Sequence, residues 1–378
     1  MIERMLVQRL LKQAGITVGQ GPDVDITVYN DQFYSMAFRK ASLGLGESYM
    51  QGFCDIRDIA SVTEKCQLGG IDTSIVAKIA ELPLYLQHRI HDIHSSVRER
   101  KKIADEHYNL HEGFYEKFLG PTMAYTSGMV LENEYYDFSQ ETLTRSQIRK
   151  FEHIANALQV LPGEQVLDVG CGYGGLLMYL QQERHAEVRG ISNSVIQHNN
   201  TVYDMGIKKI PTFRYDLGDY IAISKMEQKF DAVTSIEMIE SVGPKHLDDF
   251  FQIIHDVLKC RGRFFLQAIV TDRHDLHGNL FLEKYIFPNA IINNEADMLK
   301  KASKYFKINE ESTKNISESY IHTLACWDKA MLEAEKKGLY NFFNKNESFY
   351  RMFHFYFGIS RGSFMSKRNR VMQYMFTK

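Results

Sequence analysis

The sequence predicts an α/β fold: a doubly wound, largely parallel sheet preceded by a smaller N-terminal α+β domain. Three observations carry that prediction. Val166–Leu176 joins an apolar, strand-like run to a turn crowded with glycines, and a helical Leu-Leu-Met-Tyr-Leu segment follows. Strand-like and helical patterns then alternate as far as Ile269, the signature of a parallel sheet with crossover helices. The chain also has 378 residues, more than the roughly 100–200 of a single domain, and its first 95 residues are patterned differently from the rest.

The elements follow in order. Residues 3–14 carry Met5, Leu6, Leu10 and Leu11 at helical spacing, and Gly15 closes the run. Val24–Tyr29 alternates apolar and polar residues like a short strand. Ser42-Leu-Gly-Leu-Gly-Glu-Ser-Tyr-Met-Gln-Gly52 is glycine-rich but lacks the Gly-Lys-Ser/Thr ending of a phosphate loop, so it reads as structural. Residues 71–98 have a helical pattern with His88, His91 and His94 near one face. Without acidic or further histidine partners, these read as a solvated or packed face rather than a metal site. Arg98-Glu-Arg-Lys-Lys102 marks a boundary. Its default reading is a solvated face, with contact to anionic lipid headgroups as the alternative. Beyond it, Gln147–Leu158 reads as an amphipathic helix. Strands are expected at Gln165–Val169, Ala186–Ile191, Thr212–Tyr215, Asp231–Ile236 and Arg263–Ile269, with a helix at His246–Leu258. After Val270 the chain reads as charged, aromatic-rich and helical.

Composition narrows the function classes. Basic and acidic residues nearly balance, 45 against 47, so no field for nucleic acid is expected. The cysteines at 54, 66, 171, 260 and 326 are odd in number and include no CxxC pair. They read as reduced thiols of a cytoplasmic protein, without a disulfide framework or a metal site. No stretch approaches the roughly 20 apolar residues that span a bilayer, and no signal-peptide core opens the chain. Membrane contact is therefore expected to be peripheral.

In an open α/β sheet, ligands collect beyond the carboxyl ends of the strands. The bare glycine spacing at 170, 172 and 174 is shared with nicotinamide and flavin sites. In the form Asp168-Val-Gly-Cys-Gly-Tyr-Gly174, however, the turn resembles the S-adenosylmethionine-binding turn of class I methyltransferases, which implies their Rossmann-like sheet. Ser192 and Gln197 follow the second strand of this half, and Asp216 follows the third as an acceptor for an adenine amino group. Glu237 and Glu240 follow the fourth. Three residues apart, they could point the same way and share acid–base work, or one could face the ligand while the other caps a helix. Gln267 lies inside the fifth strand, where a buried amide needs hydrogen-bond partners.

The chain as a whole resembles the cyclopropane-fatty-acyl-phospholipid synthase family, including its mycolic acid cyclopropane synthase-like members. Besides the cofactor turn, the matching segments are Ser42–Met50, His107-Tyr108-Asn-Leu, Glu240-Ser-Val-Gly-Pro244, Lys284-Tyr-Ile-Phe-Pro-Asn289 and Tyr320-Ile-His-Thr-Leu-Ala-Cys-Trp327. The resemblance implies an enzyme that moves a one-carbon unit from S-adenosyl-L-methionine to the double bond of an unsaturated phospholipid acyl chain. A bound bicarbonate would serve as base. Its ligands fall on Glu240, Tyr320 and the backbone amide of Ile269, with Ser127 standing for the family's cysteine and Gln267 for its histidine. Serine and glutamine retain hydrogen-bond donors. Ser241 likewise stands where the family has a histidine. Tyr125 and Thr126, just before Ser127, join Asp168, Gly170, Gly172, Gly174, Ser192, Gln197 and Asp216 in the implied cofactor set. The family also implies dry aromatic walls around a cationic intermediate, a homodimer, and work at the inner face of a membrane. Three alternatives stay open: a methylene- or methyl-branching C-methyltransferase, a small-molecule N-methyltransferase, and a non-catalytic regulator that binds lipid or cofactor.

Overall fold

In a computed structural model, the described residues are 2–21, 23–71, 112–208, 213–274, 279–288, 290–338 and 347–378. The histidines at 88, 91 and 94, the charge run at 98–102, His107, Tyr108 and the expected domain boundary at 95/96 all lie outside them. The chain forms two compact units.

The first unit draws on Met1–Ile103, Asp275–Pro288 and Trp327–Arg368. It contains α1 (Ile2–Gln13), a small sheet of β1 (Val18–Gly19), β2 (Ile26–Val28) and β3 (Cys54–Ile56), α2 (Gln32–Met50) and α3 (Ile59–Leu68). Asp58 caps α3 through its side chain, accepting from the Ala60 and Ser61 amides. The glycine-rich run belongs to α2, which kinks at Ala41, where φ is +46°. A Cβ at Gly46 would collide with the Phe281 and Phe355 rings, so glycine there is a packing requirement. Two later helices complete this unit, α9 (Leu280–Tyr285) and α12 (Glu347–Met365). Gly358 and Gly362 let α12 lie against Ile59, Ala60 and Thr63 of α3.

The second unit holds the large sheet. Its helices and strands are α4 (Glu112–Leu119), α5 (Gln140–Ala157), β4 (Gln165–Val169), α6 (Gly175–Arg184), β5 (Glu187–Ser192), α7 (Val195–Lys208), β6 (Phe213–Leu217), β7 (Phe230–Ile236), α8 (Leu247–Val257), β8 (Leu258–Thr271), β9 (Asn293–Asn294), α10 (Glu295–Ala302), β10 (Lys307–Asn315) and β11 (Arg370–Thr377). α11 (Ser317–Lys336) begins in this unit and ends in the first. The main strand order is 10-11-8-7-4-5-6. β4 to β8 run parallel, while β10 and β11 are antiparallel additions at one edge. Helices cover both faces. Phe250, Phe251 and Ile254 of α8 pack with Leu167, Phe264 and Phe376 on one face. Phe151 and Ile154 of α5 pack with Leu177, Val166 and Phe265 on the other. This is the doubly wound sheet, and the strand order reverses on either side of β4, where such sheets bind ligands.

The all-helical reading of the region after Val270 needs correction, because that region contributes β10 and β11. All of Val371–Phe376 is buried, so β11 shows no alternation of period two. β10 is an edge strand whose Lys-Ile-Asn-Glu-Glu-Ser-Thr-Lys-Asn sequence carries almost no apolar signal. α5 also starts earlier than its apolar spacing shows. Ser139 caps it by accepting from the Thr142 amide.

Candidate active site

The cofactor turn follows from backbone geometry. Gly170, Gly172 and Gly174 have φ of +83°, +55° and +75°, a region that L side chains adopt rarely. A Cβ at Gly170 would run into Met238, and one at Gly174 into Thr201. Nothing lies within 4 Å of a Cβ placed on Gly172. That open position, midway between the end of β4 and the start of α6, is a cradle that fits S-adenosylmethionine. The Tyr215 hydroxyl donates to the Gly172 carbonyl at 2.5 Å and fixes the turn from β6. The glycine pattern gives no hint of Tyr215.

The other expected cofactor residues fall into two groups. Asp168 lies beneath the turn, accepts from Thr234 Oγ1 at 2.7 Å, and burial pushes its carboxyl up to about 7. Ser192 Oγ donates to Gln197 Oε1 at 3.0 Å and accepts from the Ser194 amide. Asp216 sits at the end of β6, half-exposed, and accepts from Arg189 Nε at 2.5 Å. On the other side, the Tyr125 ring lies 5.7 Å from Tyr115 and 5.9 Å from Phe118, and Tyr115 lies 6.2 Å from Tyr173 of the turn. Thr126 is held twice by α5. Its carbonyl accepts from Gln147 Nε2 at 2.8 Å and its hydroxyl from Lys150 Nζ at 2.5 Å.

The five residues expected around the base converge on two carboxylates. Glu237 is half-buried at the end of β7 with φ of +51°, a strained conformation of the kind that persists where surrounding contacts over-determine it. Its Oε1 accepts from the Ser127 amide at 2.9 Å and from Gln267 Nε2 at 2.6 Å. The Tyr320 hydroxyl also donates to this carboxylate. Ser127 thus contributes its amide, while its hydroxyl donates to the Gly128 carbonyl. Gln267 is oriented from behind by Gln373 Nε2, which donates to Gln267 Oε1 at 2.8 Å across the β8–β11 register. Glu240 lies on the next turn. Its Oε1 accepts from the Ile269 amide at 2.6 Å, while its buried Oε2 has no hydrogen-bond partner. Burial pushes its carboxyl up to about 8, so it is protonated at neutral pH. Glu237 is raised as well, first by burial.

Ser127, Gln267 and Tyr320 spend donors on Glu237, while the buried Oε2 of Glu240 has no hydrogen-bond partner. Sequence reasoning marked Glu237 only as one of a pair, and the matched Glu-Ser-Val-Gly-Pro segment begins at Glu240. The available signal was an acidic residue directly after an apolar strand. Among the described residues, no cluster of histidine, cysteine or carboxylate side chains is built to hold a metal.

Comparison with known proteins bears on the same residues. The family model described as mycolic acid cyclopropane synthetase matches residues 94–374. The cyclopropane-fatty-acyl-phospholipid synthase of Escherichia coli is 28% identical over 99% of this chain and 93% of its own length. A tuberculostearic acid methyltransferase of Mycobacterium tuberculosis is 25% identical over 89% of this chain and 79% of its own. Among solved structures, a cyclopropane synthase from Mycobacterium tuberculosis superposes with a TM-score of 0.65 at 22% identity, covering 74% of this chain and 98% of its own. Coclaurine N-methyltransferase gives 0.68 at 18% identity, covering 88% and 99%. The structural matches establish the methyltransferase fold. With the family model spanning most of its length, the chain belongs to the mycolic acid cyclopropane synthetase family.

Proposed function

We propose that this chain is an S-adenosylmethionine-dependent transferase that adds one carbon across the double bond of an unsaturated phospholipid acyl chain and closes it to a cyclopropane. The carrying observation is the Glu237 carboxylate, held by Ser127, Gln267 and Tyr320 beside the glycine turn. When bound, S-adenosylmethionine supplies an electrophilic sulfonium methyl. In this reading Gly170, Gly172, Gly174, Ser192, Gln197 and Asp216 hold the cofactor, with Tyr125 and Thr126 on its other side and Asp168 supporting the turn from below.

The chain's own contribution is a dry site and a base. An alkene is a weak nucleophile, so its alkylation leaves a cation in the acyl chain that water would trap. The Tyr115, Phe118, Tyr125 and Tyr173 rings form an apolar wall suited to a cation. Glu237 then accepts the proton released from the added carbon as the ring closes, in place of bicarbonate. Glu240, protonated and bound to the Ile269 amide, adds no second negative charge that would hold the cation too tightly.

The substrate is presented at a membrane surface in this proposal, and the protein works as a peripheral homodimer on the cytoplasmic face. Among the described residues, no helix is long and apolar enough to cross a membrane. Residues 1–95 would serve lipid or dimer contact, and the chain from residue 96 onward would carry the chemistry. The test is incubation with methyl-labelled S-adenosylmethionine and vesicles of monounsaturated phospholipid, followed by NMR of the acyl chains. Cyclopropane protons carrying the label are expected without added bicarbonate. A labelled vinylidene or methyl branch would move the chain to the branching chemistry. No labelled lipid, with cofactor binding intact, would remove the lipid reading.

A further inference from the structure

Lys150 is a buried cation that the proposed reaction leaves without a role. It lies on α5, one turn after Gln147, and is 1% exposed. Its ammonium donates to the neutral hydroxyl of Thr126, and Gln147 holds the carbonyl of the same residue. The amide of the following residue, Ser127, donates to Glu237 Oε1. Ammonium and carboxylate are therefore two hydrogen bonds and one peptide link apart. A hydroxyl cannot neutralise a charge, and burial pulls the Lys150 ammonium down to about 8, so an anion in reach is what keeps it charged.

Two carboxylates lie within the field of Lys150, half-buried Glu237 and buried Asp168. Asp168 has the Thr234 hydroxyl, and burial lifts it to about 7. Burial raises Glu237 as well, but Lys150 and the donors Ser127, Gln267 and Tyr320 all act on it in favour of its charged form. The remaining groups around it, Glu240, Tyr320 and Tyr125, bring no positive charge.

We infer that Lys150 is a positioning residue of the base site: it anchors Thr126, so that the Ser127 amide faces Glu237, and it supplies the positive charge against which the Glu237 carboxylate stays ionised. This rests on Glu237 being the base. A base that must be charged before reaction needs such a counter-cation in a dry site, and placing it on Thr126 rather than on the carboxylate leaves Glu237 free to take a proton.

The experiment reads Glu237 directly, without substrate. Infrared difference spectra of each protein against its Glu237→Gln counterpart isolate the Glu237 carboxyl band across pH. Lys150→Met keeps a stem of similar length and removes the charge. Its Glu237 midpoint is expected to rise by about 1–3 pH units, the usual effect of an opposite charge close by. Thr126→Val, which deletes only the anchor, is expected to give a smaller rise in the same direction. In the labelled-methyl assay of Lys150→Met the acid limb of kcat should move up with the band, while KM for S-adenosylmethionine changes little. An unmoved Glu237 midpoint in both variants overturns the inference. So does loss of cofactor affinity with an unchanged pH profile, which would make Lys150 a cofactor ligand. If the band moves but wild-type protein labels no lipid, the Lys150–Glu237 pairing stands and the lipid reading falls.

Discussion

At the scale of single residues, Glu237 and Glu240 have the same side chain in the same buried turn but different environments. Glu237 gathers three donors and a nearby cation, which favour its charged form. Glu240 has one donor and an unpartnered oxygen, which favour its neutral form. Glu237→Gln preserves shape while removing basicity. It is expected to lower kcat by about 100- to 10,000-fold, the usual worth of a positioned base, with cofactor affinity by calorimetry nearly unchanged. Glu240→Gln acts on stability. The folded-state value near 8 lies above the ordinary 4.5, so folding favours the protonated form. That contribution is complete below pH 4.5 and is lost as pH rises toward 8. The Gln variant lacks this slope. It should be more stable than wild type by on the order of a few kcal/mol above pH 8, and the gap should close as pH falls. Denaturant melts at several pH values check the sign.

At the scale of elements, the β4–α6 turn separates two uses of glycine that look alike in sequence. Gly170→Ala puts a Cβ into Met238 on a backbone with φ of +83°, so a stability loss of about 1–3 kcal/mol is expected. Gly172→Ala points into open space at φ of +55°. It is expected to cost only about 1 kcal/mol of stability while weakening S-adenosylmethionine at least about tenfold, the equivalent of roughly 1.4 kcal/mol. Thermal melts and calorimetry on the pair distinguish the two. β4 to β8 and their helices were legible because each strand is an apolar run bounded by turn residues. β11 was not, since burial on both faces erased its alternation, and β10 was hidden by its charge. The glycine turn was legible from its motif, and Ser127, Gln267, Ile269 and Tyr320, picked out by the family resemblance, come together around Glu237 and Glu240. The role proposed for Glu237 was not legible, because it depends on a positive φ there and on which oxygen Ser127 and Gln267 face. Lys150 and Tyr215 carry no local signal, since a lysine in an amphipathic helix reads as solvated and a tyrosine in a strand reads as core.

At the scale of the whole molecule, chain order and compact units do not coincide. The first unit takes segments from three separated parts of the sequence, and its contacts show why. Buried Glu47, in the glycine-rich run of α2, accepts from Lys40 at 2.7 Å, Lys284 at 2.6 Å and Tyr285 at 3.1 Å. Arg351 of α12 stacks 3.9 Å from the Tyr49 ring centroid and donates to the Cys54 carbonyl and Asp55. A fragment of residues 1–95 keeps Glu47, Tyr49 and the apolar face of α3 but loses Lys284, Arg351 and the α12 helix that covers Ile59 and Ala60. A buried carboxylate left with Lys40 as its one remaining partner of the three, and an uncovered apolar face, each oppose folding. The fragment alone should therefore show poorly dispersed amide NMR signals and no cooperative thermal transition, while adding a peptide of residues 347–368 in trans should restore part of both. A fragment that melts cooperatively by itself would show that residues 1–95 form a self-sufficient domain, with the later segments as additions. Failure of both would place the organising contacts in residues 275–288, where Lys284 and Tyr285 meet Glu47.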